Sequence, residues 1–212
     1  MNISFSLAEY LSKYFIFKSM LRLIFFFQAL VIFSCDYTEV NSVELEGFVL
    51  LSDSSIVISD SIFTEGIEGP AVGKDGDLFL VNINHQGTIA RKSFDEDSFS
   101  VFVELPKKSV GNGIRFDEQG NMYIADYVGH NVLKIEYGTK QIEVYASDTN
   151  MNQPNDLAIM DNGILFASDP NWKESSGKIW RFSLGGIPEL LEDSMGTTNG
   201  IEVSADNKIL YV

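Results

Sequence analysis

From residue 68 onward, short apolar runs alternate with polar turns in a unit that recurs four times. The copies open EGPAV at Glu68, NGIRF at Asn112, NDLAI at Asn155 and NGIEV at Asn199, with starting positions 44, 43 and 44 residues apart. In each copy a short first strand, such as Ile114 to Phe116 or Leu157 to Ile159, runs into a turn of Asp, Asn and Gly. The turns begin at Lys74, Asp117, Asp161 and Ala205. A continuously apolar second strand follows, LFLV from Leu78, MYIA from Met122, ILFA from Ile164 and ILYV from Ile209. That pairing of turn chemistry and flanking strands predicts a hairpin, and the unbroken apolar run predicts burial on both faces. Third strands are expected at Val132 to Ile135 and Ile179 to Phe182, and fourth strands at Phe99 to Val103 and Ile142 to Tyr145. No segment of this region has the period of a long amphipathic helix.

Four strands in a period of roughly 40 to 50 residues make a propeller blade, so the pattern predicts an all-β fold with the partial propeller over residues 45–212. The first strand of a blade lines the central channel. Residues at equivalent points of successive first strands must then form a ring at one height, here Glu68, Asn112, Asn155 and Asn199. Second strands run back to the same face, which places their last residues, Asn82, Asp126 and Asp169, just outside that ring. Asp126 and Asp169 are therefore candidate substrate contacts, with capping of strand ends as the alternative. Carboxylate and amide oxygens without His or Cys suit hard cations, Ca2+ first, with Mg2+ or Mn2+ able to substitute. Glu68 is the most pointed member, because a carboxylate facing a narrow channel needs a counter-charge. His85 and His130 fall in loops after second strands without an obvious acidic partner and read as solvated. Trp172 and Trp180 both read as blade packing before a substrate platform, and Trp172, in the long loop after Asp169, is the better platform candidate of the two.

Composition narrows the partners. With 15 Lys and Arg against 30 Asp and Glu, the net charge is −15, which repels nucleic acid and anionic membrane surfaces. The N-terminus differs from the rest. Leu23 to Phe33 is an apolar run broken only by Gln28, preceded by Lys13, Lys18 and Arg22 and followed by Ser34 and Cys35. Such a pattern predicts a secretory signal over residues 1–34, with Met20 as a plausible true start and residues 35–44 as a linker. The run is too short for a transmembrane helix. Cys35 is the single cysteine, so no internal disulfide can form. Its Ile-Phe-Ser-Cys setting resembles a bacterial lipoprotein cleavage box, implying a lipid anchor on Cys35 and a secreted, periplasmic or membrane-anchored location in the cell envelope.

The motifs EGPAV, QPNDLAI, FASDPNW and TTNGIEVSADNKILYV, spanning Glu68 to Val212, resemble the senescence marker protein, gluconolactonase and luciferin-regenerating enzyme family, in particular its regucalcin-like, calcium-dependent bacterial lactonases. The resemblance implies a six-bladed propeller that opens lactone rings with one divalent cation in its channel. It makes Glu68 and Asn199 metal ligands and Asn155 a neighbour of metal and substrate, with a lesser role for Asn112. The partner implied is a small-molecule lactone or sugar-acid lactone. A further Asp ligand comes, in that family, from a later Asp-Gly motif, and the sequence stops at Val212 before one. About three and a half blades are therefore expected here, with impaired hydrolysis. The base would be that Asp, with Glu68 as second choice. A different reading comes from GNMYIADYVGHNVLKIE at Gly120, which resembles an NHL repeat, a propeller unit that binds proteins or glycans without catalysis. The acid of EGP and the Asn-Gly of the fourth copy favour the hydrolase.

Overall fold

A computed structural model describes residues 43–45, 48–50, 62–64, 66–93, 95–96 and 98–212. The chain divides into two compact units, Met1–Val57 and Ile58–Val212. Of the first, an antiparallel hairpin is described, β1 (Val43–Leu45) with β2 (Phe48–Leu50). The predicted signal, most of the linker and Cys35 lie outside the described residues.

The second unit is a succession of antiparallel meanders. β3 (Ala71–Val72), β4 (Leu78–Val81), β5 (Thr88–Lys92) and β6 (Ser100–Glu104) form one four-stranded sheet in chain order. β7 (Gly111–Phe116), β8 (Met122–Asp126), β9 (Asn131–Ile135) and β10 (Ile142–Ser147) form the next. The third comprises β11 (Leu157–Ile159), β12 (Leu165–Asp169), β13 (Lys178–Ser183) and β14 (Ile187–Glu192). β15 (Glu202–Val203) and β16 (Leu210–Tyr211) pair as the start of a fourth. Three full blades and half of another match the repeat read from the sequence, and no helix occurs among the described residues.

Second strands are buried as their composition requires: every residue of β8 and of β12 is buried. Their side chains fill the spaces between blades. Val81, Ile89, Ile114, Met122, Ile124 and Leu133 belong to one cluster joining the first two sheets. Leu157, Leu165, Trp180 and Phe182 join Tyr123 and Val132 in the next. At about 1.5 to 3 kcal/mol for each large apolar side chain removed from water, these inter-blade layers dominate the stability of the arc. Each blade also carries a register shift between its third and fourth strands, at Ile89/Ala90, Val144/Ala146 and Ile179/Trp180. A bulge there adds twist and makes the outer edge a poorer template for another strand.

One strand starts earlier than the hydrophobic pattern predicts. β7 begins at Gly111, not Ile114, because Gly111 pairs with Asp126 and the ladder then slips before Ile114. The slip frees Asn112 and Gly113 from their own sheet, and the Gly113 N–H donates instead to the Asn155 carbonyl of the next blade at 2.8 Å. Inner strands approach so closely that side chains are excluded. A Cβ on Gly113 would stand 2.6 Å from Asp156 Oδ1 and 3.0 Å from the Asn155 carbonyl oxygen. Gly69 combines the same crowding with a left-handed φ of 60°, and its Cβ would meet the Asn112 carbonyl oxygen at 2.1 Å. At the matching point of the fourth repeat, a Cβ on Gly200 would touch nothing. Gly113→Ala is therefore expected to cost more than about 2 kcal/mol in denaturant unfolding, whereas Gly200→Ala stays within about 0.5 kcal/mol of the parent.

Candidate functional site

Glu68, Asn112, Asn155 and Asn199 line a single cavity of about 260 Å³, together with Gly69, Pro70, Gly113, Arg115 and Asp156. Each of the four sits where its blade's inner strand begins, and backbone bonds fix them. Val81 N–H donates to the Glu68 carbonyl at 3.2 Å, and Asn155 N–H donates to the Ser168 carbonyl at 2.8 Å. The buried Ser168 hydroxyl accepts from Asp156 N–H at 3.1 Å and donates to the Asn199 carbonyl, tying the third blade to the fourth.

The side chains of these four residues are a different matter. Glu68 and Asn199 are exposed and Asn112 and Asn155 half-buried, and among the described residues none of the four side chains has a hydrogen-bond or ion-pair partner. Elsewhere the same residue types are engaged. Asn121, for example, donates to Asp117 through its amide and accepts from Tyr137 N–H. Four unengaged oxygen-bearing side chains on one cavity leave an acidic, amide-rich lining open to a ligand.

The second polar layer is spent on fastening loops. Asn82 donates to the Gly66 carbonyl at 3.0 Å and accepts from Gly87 N–H. Asp126, fully buried, accepts from Val110 N–H at 3.0 Å and Gly129 N–H at 2.8 Å through Oδ1, while its Oδ2 and the Asn131 Oδ1 lack donors. Asp169, also fully buried, accepts from Asn152 and Gln153 N–H and from the Trp180 indole at 2.8 Å. None of the three lines the ring cavity. Loop N–H groups left unpaired where second strands end need acceptors, and these side chains are within reach.

Trp180 is buried and Trp172 is 50% exposed away from the cavity. His130 contacts the Asn152 carbonyl through Nδ1. His85, which the sequence leaves without an acidic partner, lies 3.9 Å from Glu104 across an exposed surface. A cavity of about 240 Å³ at the turn end of the first two blades has aromatic walls, but its charges are matched. Arg91 pairs with Asp77 at 2.5 Å, a hydrogen bond that raises the guanidinium pKa further, and Lys74 and Lys140 lie over the rings of Tyr137 and Phe102.

Sequence reasoning missed Arg115, Asp156 and Ser168. The signal was present in the aligned copies, where NGIRF and NGIEV put opposite charges at one register position and NDLAI carries Asp where the others carry Gly.

Antiparallel four-stranded blades following one another around a cavity lined by unengaged oxygens define a β-propeller, and its structural neighbours are six-bladed. Residues 67–212 match the SMP-30/Gluconolactonase/LRE-like region, and the chain belongs to that family. A gluconolactonase of Zymomonas mobilis subsp. mobilis is 27% identical over 170 residues, covering 68% of this chain and 48% of that protein. Among solved structures, a gluconolactonase from Xanthomonas campestris superposes with a TM-score of 0.61 at 17% identity, over 73% of this chain and 55% of the other. Regucalcin from Agrobacterium tumefaciens, described as a calcium-binding protein, gives 0.56 at 21% identity, over 70% and 50%. At those identities the structural likeness speaks for the fold alone. The chain spans about half the length of the relatives it matches. No helix among the described residues is long and apolar enough to cross a membrane.

If Asp126 serves the loops, its acceptor oxygen matters and its charge does not. Asp126→Ala strands two buried N–H groups and is expected to cost about 2 to 4 kcal/mol by urea unfolding. Asp126→Asn keeps the acceptor and supplies a donor where two acceptors are orphaned, so its stability should stay within about 1 kcal/mol of the parent. Equal losses in the two variants would count against this role.

Proposed function

We propose that the ring cavity holds a divalent cation, calcium by the chemistry of its donors, and hydrolyses a small lactone such as a sugar-acid lactone. The observation that carries this reading is the set of free side chains of Glu68, Asn112, Asn155 and Asn199 on one cavity. The residues fit the ion. One carboxylate and three amide oxygens are hard donors, and they fill part of the six to eight positions calcium takes, leaving the others for water and substrate. The lining offers neither His nor Cys, the usual ligands of zinc. Membership of the family supports lactone hydrolysis as the chemistry.

When bound, the cation supplies a Lewis acid for the lactone carbonyl. Glu68 and Asn199 would hold it. Glu68, with no cationic side chain paired to it among the described residues, can also take a proton from the attacking water at its carboxylate. Water adds to the carbonyl carbon, the bond from that carbon to the ring oxygen breaks, and the proton passes to that oxygen, giving a hydroxy acid. Asn155, its backbone locked by Gly113 and Ser168, offers an amide to orient the substrate, and Asn112, on the adjacent blade, a lesser contact.

In the purified protein, calorimetric calcium binding and indicator-monitored opening of a gluconolactone should both disappear with EDTA and return with calcium. Glu68→Gln is expected to weaken calcium binding at least about tenfold and to lower hydrolysis about a hundredfold. Undiminished affinity in that variant would overturn the assignment of Glu68.

The apolar run from Leu23 to Phe33 and the single Cys35 support a place in the cell envelope, with a lipid on Cys35. Detergent-phase partitioning of the mature protein should be lost in Cys35→Ser. Partitioning that survives the substitution would remove the anchor.

A further inference from the structure

The level just beneath the ring holds an interaction that crosses blades. Three residues past each ring position the repeats carry Ala71, Arg115, Ala158 and Glu202. Two small residues thus alternate with two of opposite charge. Arg115, on β7, lies with Nη1 3.3 Å from Asp156 Oδ1 and Nη2 3.4 Å from Asp156 Oδ2, and Nη2 is 3.5 Å from Glu202 Oε2 on β15. Asp156 in turn accepts the Ile201 N–H at 3.2 Å through Oδ2 and its neighbour Leu157 N–H at 2.8 Å through Oδ1. A guanidinium from the second blade thereby grips a carboxylate at the start of the third, which holds the backbone of the fourth.

We infer that Arg115 is a positioning residue, a strut beneath the ring that acts through Asp156 to set the spacing of Asn155 and Asn199. Asp156 directly follows Asn155, and Ile201 is two residues past Asn199, so the strut ends next to both side chains. Geometry favours this over a purely electrostatic part. The guanidinium meets both oxygens of one carboxylate, and the Arg115 and Asp156 side chains are about three-quarters buried, with 25% and 22% exposure. The leg to Glu202 is weaker, since that carboxylate is 61% exposed and solvent screens it.

The two roles predict opposite signs. A positive charge beneath a cation site repels the cation, so if charge were all, Arg115→Met would tighten calcium binding. If Arg115 is a strut, the same change lets the fourth inner strand drift and weakens binding, expected at about tenfold. Arg115→Lys keeps the charge and most of the packing but not the two-point grip, and should lose about threefold to tenfold. Arg115→Met combined with Asp156→Asn should be no worse than the poorer single variant, because both break one connection.

The effect on calcium rests on the proposed cation site, so a second readout is taken in EDTA. Hydrogen exchange of the Ile201 amide should quicken about tenfold or more in Arg115→Met, and measurably in Arg115→Lys, with the amides of β8 unchanged. Unchanged Ile201 protection in both variants, or tighter calcium binding in Arg115→Met, would overturn the strut. Absence of calcium binding in the parent would instead fail the cation site, while the exchange data still decide the strut.

Discussion

The inner strands of successive blades come within van der Waals range of each other's backbone, and the cavity exists because of that crowding. Asn112 presents its carbonyl where a side chain on Gly69 would have to go, and Asn155 does the same to Gly113. With no Cβ between them, the ring residues stand at one height and close enough to line 260 Å³ of space. The inter-blade apolar layers supply the driving force for this approach, but they are tolerant of side-chain shape. Gly69 and Gly113 are not, because what a side chain there would strike includes the backbone of the next blade.

Much of this was legible in the sequence. The repeat gave the three and a half blades and, apart from the early start of β7, put the strands it named within a residue or two, since second strands buried on both faces must be apolar throughout and turns must carry Asp, Asn and Gly. The grouping of Glu68, Asn112, Asn155 and Asn199 on one cavity follows from the same arithmetic. Less visible was which polar residues are free. Asn82, Asp126 and Asp169 recur as regularly as the ring residues do, yet the Asn82 amide donates to the Gly66 carbonyl, while Asn82 Oδ1, Asp126 Oδ1 and the Asp169 carboxylate accept from loop N–H groups and, at Asp169, the Trp180 indole. Whether a polar side chain faces a cavity or an unpaired backbone donor depends on loop paths that spacing does not encode. The early start of β7 has the same origin, as the slip after Gly111 is set by a bond to the neighbouring blade.

Engagement, more than residue type, separates the ring from the rest of the polar interior. Two aligned oxygen layers at one end of a propeller would both look like ligands to a cation. Only the inner one has side chains without partners among the described residues, so a ligand there displaces no internal hydrogen bond. Removing Asp169 from its three donors to bind anything else would leave those donors buried and unpaired, a cost of about 1 to 3 kcal/mol each. The outer layer is thus held to a scaffolding part by the same interactions that shape its loops.

Charge within the cavity is divided by the same logic. Asp156 and Arg115 both border it, and a lone Asp156 beside Glu68 would add a second carboxylate to a small space. Its pairing with Arg115 offsets that charge and leaves both of its oxygens available to the Leu157 and Ile201 backbone. Among the described residues Glu68 then remains the carboxylate on the lining without a cationic partner, accompanied by three neutral amides. A divalent ion bound as proposed would not be neutralised by such a lining, and an ion that keeps net positive charge polarises a carbonyl more strongly than one surrounded by carboxylates. Arg115, although like-charged to the proposed ion, would therefore help it twice, by holding Asp156 against the backbone of the fourth blade and by keeping that carboxylate from competing with Glu68.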